Sequence, residues 1–528
     1  MSISNLFKSV WLLFLLFQLS PIICQNNVEM LFELEGETPE AKFGLCMASL
    51  DFNGDGFDDL VISSPYWTNG DVSGKLYCYI GGVDFNNEPE FTIIGDSLAS
   101  ALGSSMSNLG DVNNDGFEDL GYKQYFSDVH IAYILFGNAE FELLPDYEFV
   151  FPVEHSLDTI KYISRLGDIN GDEFDDVGIL FSNFIEDTVE YYLVFGSDNE
   201  LEINYLNSFG VRGSAGFKGI GDVNADGFDD FCIGYHIYNR FLATNKLIFG
   251  GETIDTTNAI TLFEEPLCEY PTGLPCGDIN NDGYDDFLGY LGPVEYLWLG
   301  QQNITSQYDL ILEFGQAGSG YASGMDYGDL NNDGYDDIVI GASNHAWDIG
   351  IAYIYLGNAN PNNSVDFEIE VPPGIVGQQF GYSIVTGRFN GDEYIDFAIS
   401  APLNTINEPG NVYVYVGNGE LEDLVNSEEN TIYLETSLLN IYPNPYKLSD
   451  SLRNSQITFE ILSNEFEDYE VEIYNLKGQK LYGFNIDLSR SKDNKIQWHV
   501  KDIPTGVYLI NLLNNGVVLE TKKMTIMK

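Results

Sequence analysis

Positive charge is what this 528-residue chain has least of: 22 Lys and Arg face 82 Asp and Glu, for a net charge of −60. Such a surface repels polyanions before any specific contact forms, which excludes unassisted binding to nucleic acid or to an anionic membrane. Histidine is almost as scarce. The five present, His130, His155, His236, His345 and His499, stand without motif context, and no Cys/His cluster has zinc-ligand spacing. Cysteine is too sparse and scattered for a disulfide framework. Removal of an N-terminal leader ending at Cys24 would leave Cys46, Cys78, Cys232, Cys268 and Cys276, an odd number. Cys268 and Cys276 could pair in an oxidising compartment, whereas Cys78 and Cys232 sit in apolar strand-like stretches and read as buried thiols. Long hydrophobic runs are absent beyond the N-terminus, so the mature chain has no segment of the ~20 apolar residues that span a bilayer. The run that does exist, "VWLLFLLFQL" (10–19) behind Lys8, is half that length and leads into "SPIICQ". Residues 1–24 therefore read as a signal peptide, cleaved near Cys24 or Gln25. Lipid attachment at Cys24 fits less well, because "PIIC" lacks the small residue such processing wants before the cysteine.

What the chain does have is glycine (54 residues), aromatic side chains (14%) and a repeat. The repeat reads "DFNGDGFDD" from Asp51, "DVNNDGFED" from Asp111, "DINGDEFDD" from Asp168, "DVNADGFDD" from Asp222, "DINNDGYDD" from Asp278, "DLNNDGYDD" from Asp329 and "RFNGDEYID" from Arg388, at intervals of 51 to 60 residues. A Gly-containing stretch precedes most copies. A short apolar strand such as "DLVIS" follows, and then an alternating aromatic strand that ends in glycine, such as "GKLYCYIGG" or "GNVYVYVG". Four short strands per unit, repeated seven times, predict an all-β fold: a seven-bladed β-propeller. Val28 to Gly36 reads as an outer strand with no blade ahead of it, so it is expected to complete blade seven and remove an open edge. "TIYLE" (431–435) competes for that place.

Counted from the first Asp, each repeat bears oxygen at positions one, three, five and nine, with glycine at six for a tight turn. Carboxylate and amide oxygens at that spacing, with the carbonyl of position seven, form a cage for a hard cation, and calcium fits better than magnesium, which keeps several waters. The candidate ligands are Asp51, Asn53, Asp55, Phe57 and Asp59; Asp111, Asn113, Asp115, Phe117 and Asp119; Asp222, Asn224, Asp226, Phe228 and Asp230; Asp278, Asn280, Asp282, Tyr284 and Asp286; and Asp329, Asn331, Asp333, Tyr335 and Asp337. A weaker site is expected at Asp168, Asn170, Asp172, Phe174 and Asp176, where Glu173 replaces the turn glycine. No site is expected in the seventh copy. There Glu393 again replaces the glycine, and the Arg388 guanidinium is expected to stand in for the ion by pairing with Asp392 or Asp396. The helix-loop-helix alternative fails because position twelve of the first loop is Ile62 rather than Glu, and strands flank the loop. The remaining rival is a solvated Asx-rich turn.

"FG" before "DxNxDGxxD", followed by a small-residue stretch ending in Pro ("SSP", "SAP" at 400–402), resembles the FG-GAP repeat of integrin α-subunit propellers and their bacterial relatives, over about residues 28–436. The resemblance implies that each acidic loop joins the two inner strands of a blade and binds calcium on one face of the disc, with partners taken on the other face.

The acidity stops before the C-terminus. Residues 438–528 carry 11 basic and 11 acidic residues, so the other 437 carry the whole −60. Six strand-like stretches there, "ITFEIL", "YEVEIYNL", "KLYGFNI", "IQWHV", "GVYLINLL" and "VVLETKKMTIMK", predict a small immunoglobulin-like sandwich. "IYPNP" (441–445), "VEIYNLKGQ" (471–479), Trp498, "IPTGVYLI" (503–510) and the final "KKMTIMK" resemble the type A C-terminal sorting domain of the type IX secretion system. That implies export through both membranes by that machinery, to the outer surface or the medium. The expected function is a calcium-binding propeller that recognises an extracellular protein or glycan, as in adhesion. An extracellular polysaccharide-degrading enzyme and a structural surface-layer component are the alternatives. No catalytic nucleophile, base and orienter set is legible.

Overall fold

The computed structural model describes residues 28–421, except 97–99, 127, 142, 154–158, 184–185, 210, 238–241, 267–272, 291–294, 313–320, 346–348, 373–378, 403–408 and 420. It also describes residues 439–527, except 443–445, 448–455, 462–467, 476–479, 488–494, 500–505 and 515–516. Two compact units result, Met1–Asp423 and Leu424–Lys528. The signal-peptide stretch and the expected boundary near residue 437 lie outside the described residues. No helix among those described is long and apolar enough to cross a membrane.

The first unit holds seven four-stranded antiparallel sheets. Blade two shows the plan: Met106–Asn108 innermost, Leu120–Tyr125 next, Val129–Leu135 third and Tyr147–Pro152 outermost. The second and third strands are buried on both faces, because each blade is wedged between two others, and their sequences are mostly apolar, with Lys75, Lys123, Gln124 and Asn245 among the buried exceptions. Asp337–Ala342 ("DIVIGA") and Asp396–Ala401 ("DFAISA") are buried at every position. Outer strands cover one neighbour only and alternate instead, as in Phe367–Glu370, buried and exposed by turns. The core is therefore seven wedges between blades rather than one centre. Leu50, Val61 and Leu76 of blade one pack with Leu120, Tyr122 and Leu135 of blade two, and Phe287 stacks on Trp298 with ring centroids 5.3 Å apart between blades four and five.

The ring closes as the sequence predicts. Glu29–Glu35 pairs antiparallel with Asn411–Val416, the third strand of blade seven, from Glu29↔Val416 to Glu35↔Asn411. Leu34, 2% exposed, joins Phe43, Val412 and Val414 in the wedge between blades seven and one. The competing "TIYLE" lies outside the described residues.

The second unit contains a three-stranded sheet and a five-stranded sheet. Its strands Gln456–Ile461, Asp468–Asn475, Lys480–Asp487, Lys495–His499, Gly506–Asn514 and Val517–Met527 coincide with the six read from the sequence. Leu439–Tyr442 and Tyr446–Lys447 are additional, and Val471, Ile473, Tyr508 and Ile510 are buried.

The cysteines follow their burial. Cys78 and Cys232 are free buried thiols, as expected. Cys276 is also a free thiol, fully buried, so the pairing with Cys268 does not form; Cys268 itself lies outside the described residues.

Because Leu34 is buried in the strand that pairs with the blade-seven edge, Leu34→Ala is expected to cost about 2–5 kcal/mol. Denaturant unfolding of the secreted chain should show a lower midpoint at unchanged slope.

Candidate metal centre

Each acidic repeat lies between the innermost and second strands of its blade, at the same end of every sheet. Two left-handed residues shape the turn. Position six has φ of 88° at Gly56, 92° at Gly116, 92° at Gly227, 88° at Gly283 and 93° at Gly334. Glu173 is forced to 71°, the strain expected of a side chain there. Glu393 does not adopt positive φ, so the seventh loop relaxes into another conformation instead of sharing the strain. Position four is left-handed too, at Gly54, Asn114, Gly171, Ala225, Asn281, Asn332 and Gly391. Glycine or asparagine at six of these seven positions is the sequence signal for it.

The turn wraps main-chain N–H groups around the position-one carboxylate. Asp51 accepts from Asp55 N at 3.0 Å and Gly56 N at 2.9 Å. Asp111, Asp222, Asp278 and Asp329 repeat the pair, and Asp168 takes a third N–H from Gly171 at 2.7 Å. Position five caps position seven, as Asp115 does for Phe117 N at 3.1 Å. Position nine is different in kind. Asp59 is 1% exposed, and Asp119, Asp176, Asp230, Asp286, Asp337 and Asp396 are fully buried. One oxygen of each accepts from the glycine N–H that ends the third strand: Gly81, Gly137, Gly196, Gly250, Gly300, Gly357 and Gly417. The other oxygen accepts from position two in five of the seven, as from Val112 at 2.8 Å. The terminal glycine of every aromatic strand is thereby explained. A side chain at Gly137 or Gly300 would collide with the carbonyl of position eight.

Burial, followed by the repulsion of the acids at positions one and five, pushes the carboxyls of Asp119 and Asp176 to about 8. The same causes act on Asp230 and Asp286, also about 8, and on Asp59, about 7, while their main-chain donors pull the other way. Among the described residues, no three acidic, His or Cys side chains already converge as a finished metal site. The donor set nevertheless fits a cation. In the five loops with glycine at position six, each position-one carboxylate oxygen uses one of its two lone pairs on an N–H of the turn, and Asn170 Oδ1 at position three of the third loop is buried with no hydrogen-bond partner.

The seventh loop departs from expectation. Arg388 forms no ion pair with Asp392 or Asp396, unlike Arg165, which pairs with Asp175 at 3.1 Å. Asn390 still accepts from Asp392 N at 2.8 Å, as the position-three Asn does in the loops of Asp111, Asp278 and Asp329, so the seventh loop keeps that bond without a position-one carboxylate. The exposed Arg388 side chain acts on the next blade instead, where its charge favours the ionised form of the otherwise raised Asp58.

Position eight is the functional feature that the sequence reading passes over. Its acid reaches back to the preceding blade and accepts the N–H of position one there: Arg388 N to Asp58 at 2.7 Å, Asp51 N to Glu118 at 2.9 Å, Asp111 N to Asp175 at 2.8 Å, Asp168 N to Asp229 at 2.8 Å, Asp222 N to Asp285 at 2.8 Å and Asp278 N to Asp336 at 3.0 Å. The position-eight N–H returns a bond to the position-one carbonyl in the same six junctions, at 3.1 to 3.4 Å. The doubled acid in "DGFDD" and "DGYDD" was the available signal.

Comparison with known proteins agrees with this geometry. Residues 43–78 match the family described as FG-GAP repeat, and residues 440–527 match the Secretion system C-terminal sorting domain. Integrin alpha-4 of Xenopus laevis is 27% identical over 168 residues, 29% of this chain and 16% of that protein. Integrin alpha-3 of Cricetulus griseus is 35% identical over 110 residues, 20% of this chain and 10% of that protein. The chain thus spans between a tenth and a sixth of the length of these curated relatives. Among solved structures, one titled "Crystal structure of BBS1N in complex with ARL6DN, soaked with mercury" superposes with a TM-score of 0.45 at 10% identity, over 75% of this chain and 100% of that one. A likeness that loose adds no argument.

Raised carboxyls set the pH response of the metal-free chain. The folded values near 7 to 8 stand above the unfolded ~3.9, so these groups stabilise the fold when protonated and that contribution is lost as pH rises through 7 to 8. In chelator, the melting temperature should fall between pH 5.5 and 8.5, and Asp230→Asn should flatten the fall. A melting temperature that rises over that range contradicts the assignment.

Proposed function

For a chain that carries FG-GAP repeats in a seven-bladed propeller and a secretion-system sorting domain behind it, we propose a calcium-stabilised recognition module that binds an extracellular protein or glycan, as in adhesion. The sorting domain marks the chain for export to the cell surface or the extracellular space. The observation that carries the calcium reading is the donor set of six loops: carboxylates at positions one, five and nine and an amide at three, held in one pinned turn. Asp51, Asn53, Asp55, Asp59 and the Phe57 carbonyl would hold the ion in the first loop, and the corresponding residues would do so in the others. A bound calcium supplies positive charge to carboxylates that burial and mutual repulsion otherwise leave strained. The third loop, strained at Glu173, is the weaker site, and the seventh, without an Asp at position one, holds none.

Binding rather than catalysis suits the architecture. Hairpin loops on a rigid ring of wedged blades vary without disturbing the core, and the donor set of each loop leaves little open coordination for a substrate. The type IX machinery would read the C-terminal domain, and the propeller would meet the ligand.

One observation favours the second reading, a polysaccharide-degrading enzyme. At the end of the blade-two strand Leu120–Tyr125 remote from the acidic loop, the Tyr125 and His130 rings lie 4.3 Å apart and Thr159 Oγ1 is 3.2 Å from the Tyr125 hydroxyl. Burial alone would raise the Tyr125 phenol, but the Lys123 ammonium and hydrogen bonds from Lys123, Thr159 and Ser104 together bring it below its ordinary value. Release of reducing sugar by the wild type, lost in Tyr125→Phe, would establish that reading.

Extracellular calcium sites bind at ~10⁻⁴ to 10⁻³ M, so 10 mM calcium should add about 1.4–2.7 kcal/mol per site. The thermal melt of the secreted chain should therefore shift upward with calcium and back with chelator, and the calcium-loaded form should bind on glycan or protein arrays. An unchanged melt sinks the metal assignment; silent arrays sink the recognition role.

A further inference from the structure

We propose that the position-eight acids are positioning residues for cation binding in the blade before their own, so that each candidate site is completed by its neighbour and the site at Asp329 alone lacks this support. The inference rests on the calcium reading above.

The geometry runs one way around the ring. Asp336 belongs to the loop of Asp329 in blade six, yet its carboxylate accepts the Asp278 N–H of blade five at 3.0 Å while its own N–H donates to the Asp278 carbonyl at 3.4 Å. Both main-chain groups flanking the Asp278 side chain are thus held from the adjacent blade. That side chain accepts from Asp282 N at 3.0 Å and Gly283 N at 2.8 Å inside its own loop. Removing the neighbour's carboxylate frees the base of the residue on which the turn is wound. Partners of this kind, one shell out from a ligand, commonly change metal affinity by about 10–100-fold when removed.

The residue before each loop shows that the contact is built. Gly110, Gly167, Gly221 and Gly277 all take left-handed φ, and a side chain on any of them would strike the arriving carboxylate of Asp175, Asp229, Asp285 or Asp336. The first loop is preceded by Leu50 instead, and there the arriving acid is the longer Glu118, which also takes an N–H from Asn108 Nδ2 at 3.0 Å. At blade seven the main chain of Arg388 serves as well as that of Asp, so the latch to Asp58 survives the loss of the ligand. The break comes at the junction of blades six and seven, where position eight is Ile395, packed against Gly328. Asp329 has an intact donor set but no arriving carboxylate.

Terbium, a calcium probe sensitised by nearby tyrosine, separates the two loops, because position seven is Tyr284 in blade five and Tyr335 in blade six. Full-length secreted protein is titrated in Tyr335→Phe and Tyr284→Phe backgrounds, each leaving one position-seven tyrosine, with Tyr327, which lies beside Gly277, replaced by Phe in both. Asp336→Ala should weaken terbium at the Tyr284 loop roughly 10- to 100-fold and leave the Tyr335 loop, its own, within about twofold. Asp336→Asn keeps an acceptor oxygen and should restore binding, and Ile395→Asp should tighten the Tyr335 loop. In metal-free protein, amide exchange at Asp278 should quicken in Asp336→Ala. Weakening of the Tyr335 loop instead, or unchanged exchange at Asp278, overturns the positioning role. Absence of terbium binding in the parent protein overturns the calcium reading first, and this inference with it.

Discussion

Every blade depends on one buried carboxylate, the acid at position nine. It stands where the acidic turn ends and the second strand begins, and it receives the N–H of the glycine at the end of the third strand. The loop is thereby fastened to the body of the blade, and the third strand is stopped at a fixed point against the carbonyl of position eight. A neutral acceptor could make the same bonds. A carboxylate in a site this dry is costly unless charge of the other sign is close, and the same loop places two more acids beside it. Protonation relieves that cost at low pH, and a bound cation, as proposed above, would relieve it at higher pH.

From this follows the asymmetry of charge along the chain. The propeller carries the whole net charge of −60 while the C-terminal domain is neutral. Within the propeller, six intact loops concentrate acid at one end of the sheets, and the position-eight carboxylates join these loops into a chain of contacts that runs from blade to blade. Where the repeat loses its first Asp, Arg388 keeps the main-chain latch and turns its charge toward Asp58, so the junction at which the ring closes keeps both parts of the contact. Where the repeat loses its eighth residue to Ile395, an apolar contact replaces the latch.

Much of this was legible in the sequence, for physical reasons. The spacing of seven Asp-rich motifs, and strands apolar on both faces, leave little besides a ring of wedged sheets, and the unattached outer strand at Glu29–Glu35 had one edge to fill. Position six was readable because glycine is the residue for left-handed φ, with Glu173 as the visible violation. Less legible was anything that depends on which loop faces which. The pairing of Arg388 with its own acids follows from proximity in sequence, but the Arg388 side chain is exposed, and it is the main-chain N–H of Arg388 that finds a partner, Asp58 of blade one, 330 residues away. Position eight goes unread in the sequence for the same reason. The pairing of Cys268 with Cys276 stays open at the sequence level because eight residues of separation says nothing about burial, and Cys276 is a free thiol enclosed between blades five and six.

The central claim is that the acidic loops are cation sites whose number follows from their residues. Anomalous diffraction from crystals grown in calcium tests it most directly. The account predicts calcium in the loops beginning at Asp51, Asp111, Asp222, Asp278 and Asp329, weaker density at Asp168 and none at Arg388. Seven equal peaks, or loops that hold only water at millimolar calcium, would contradict it.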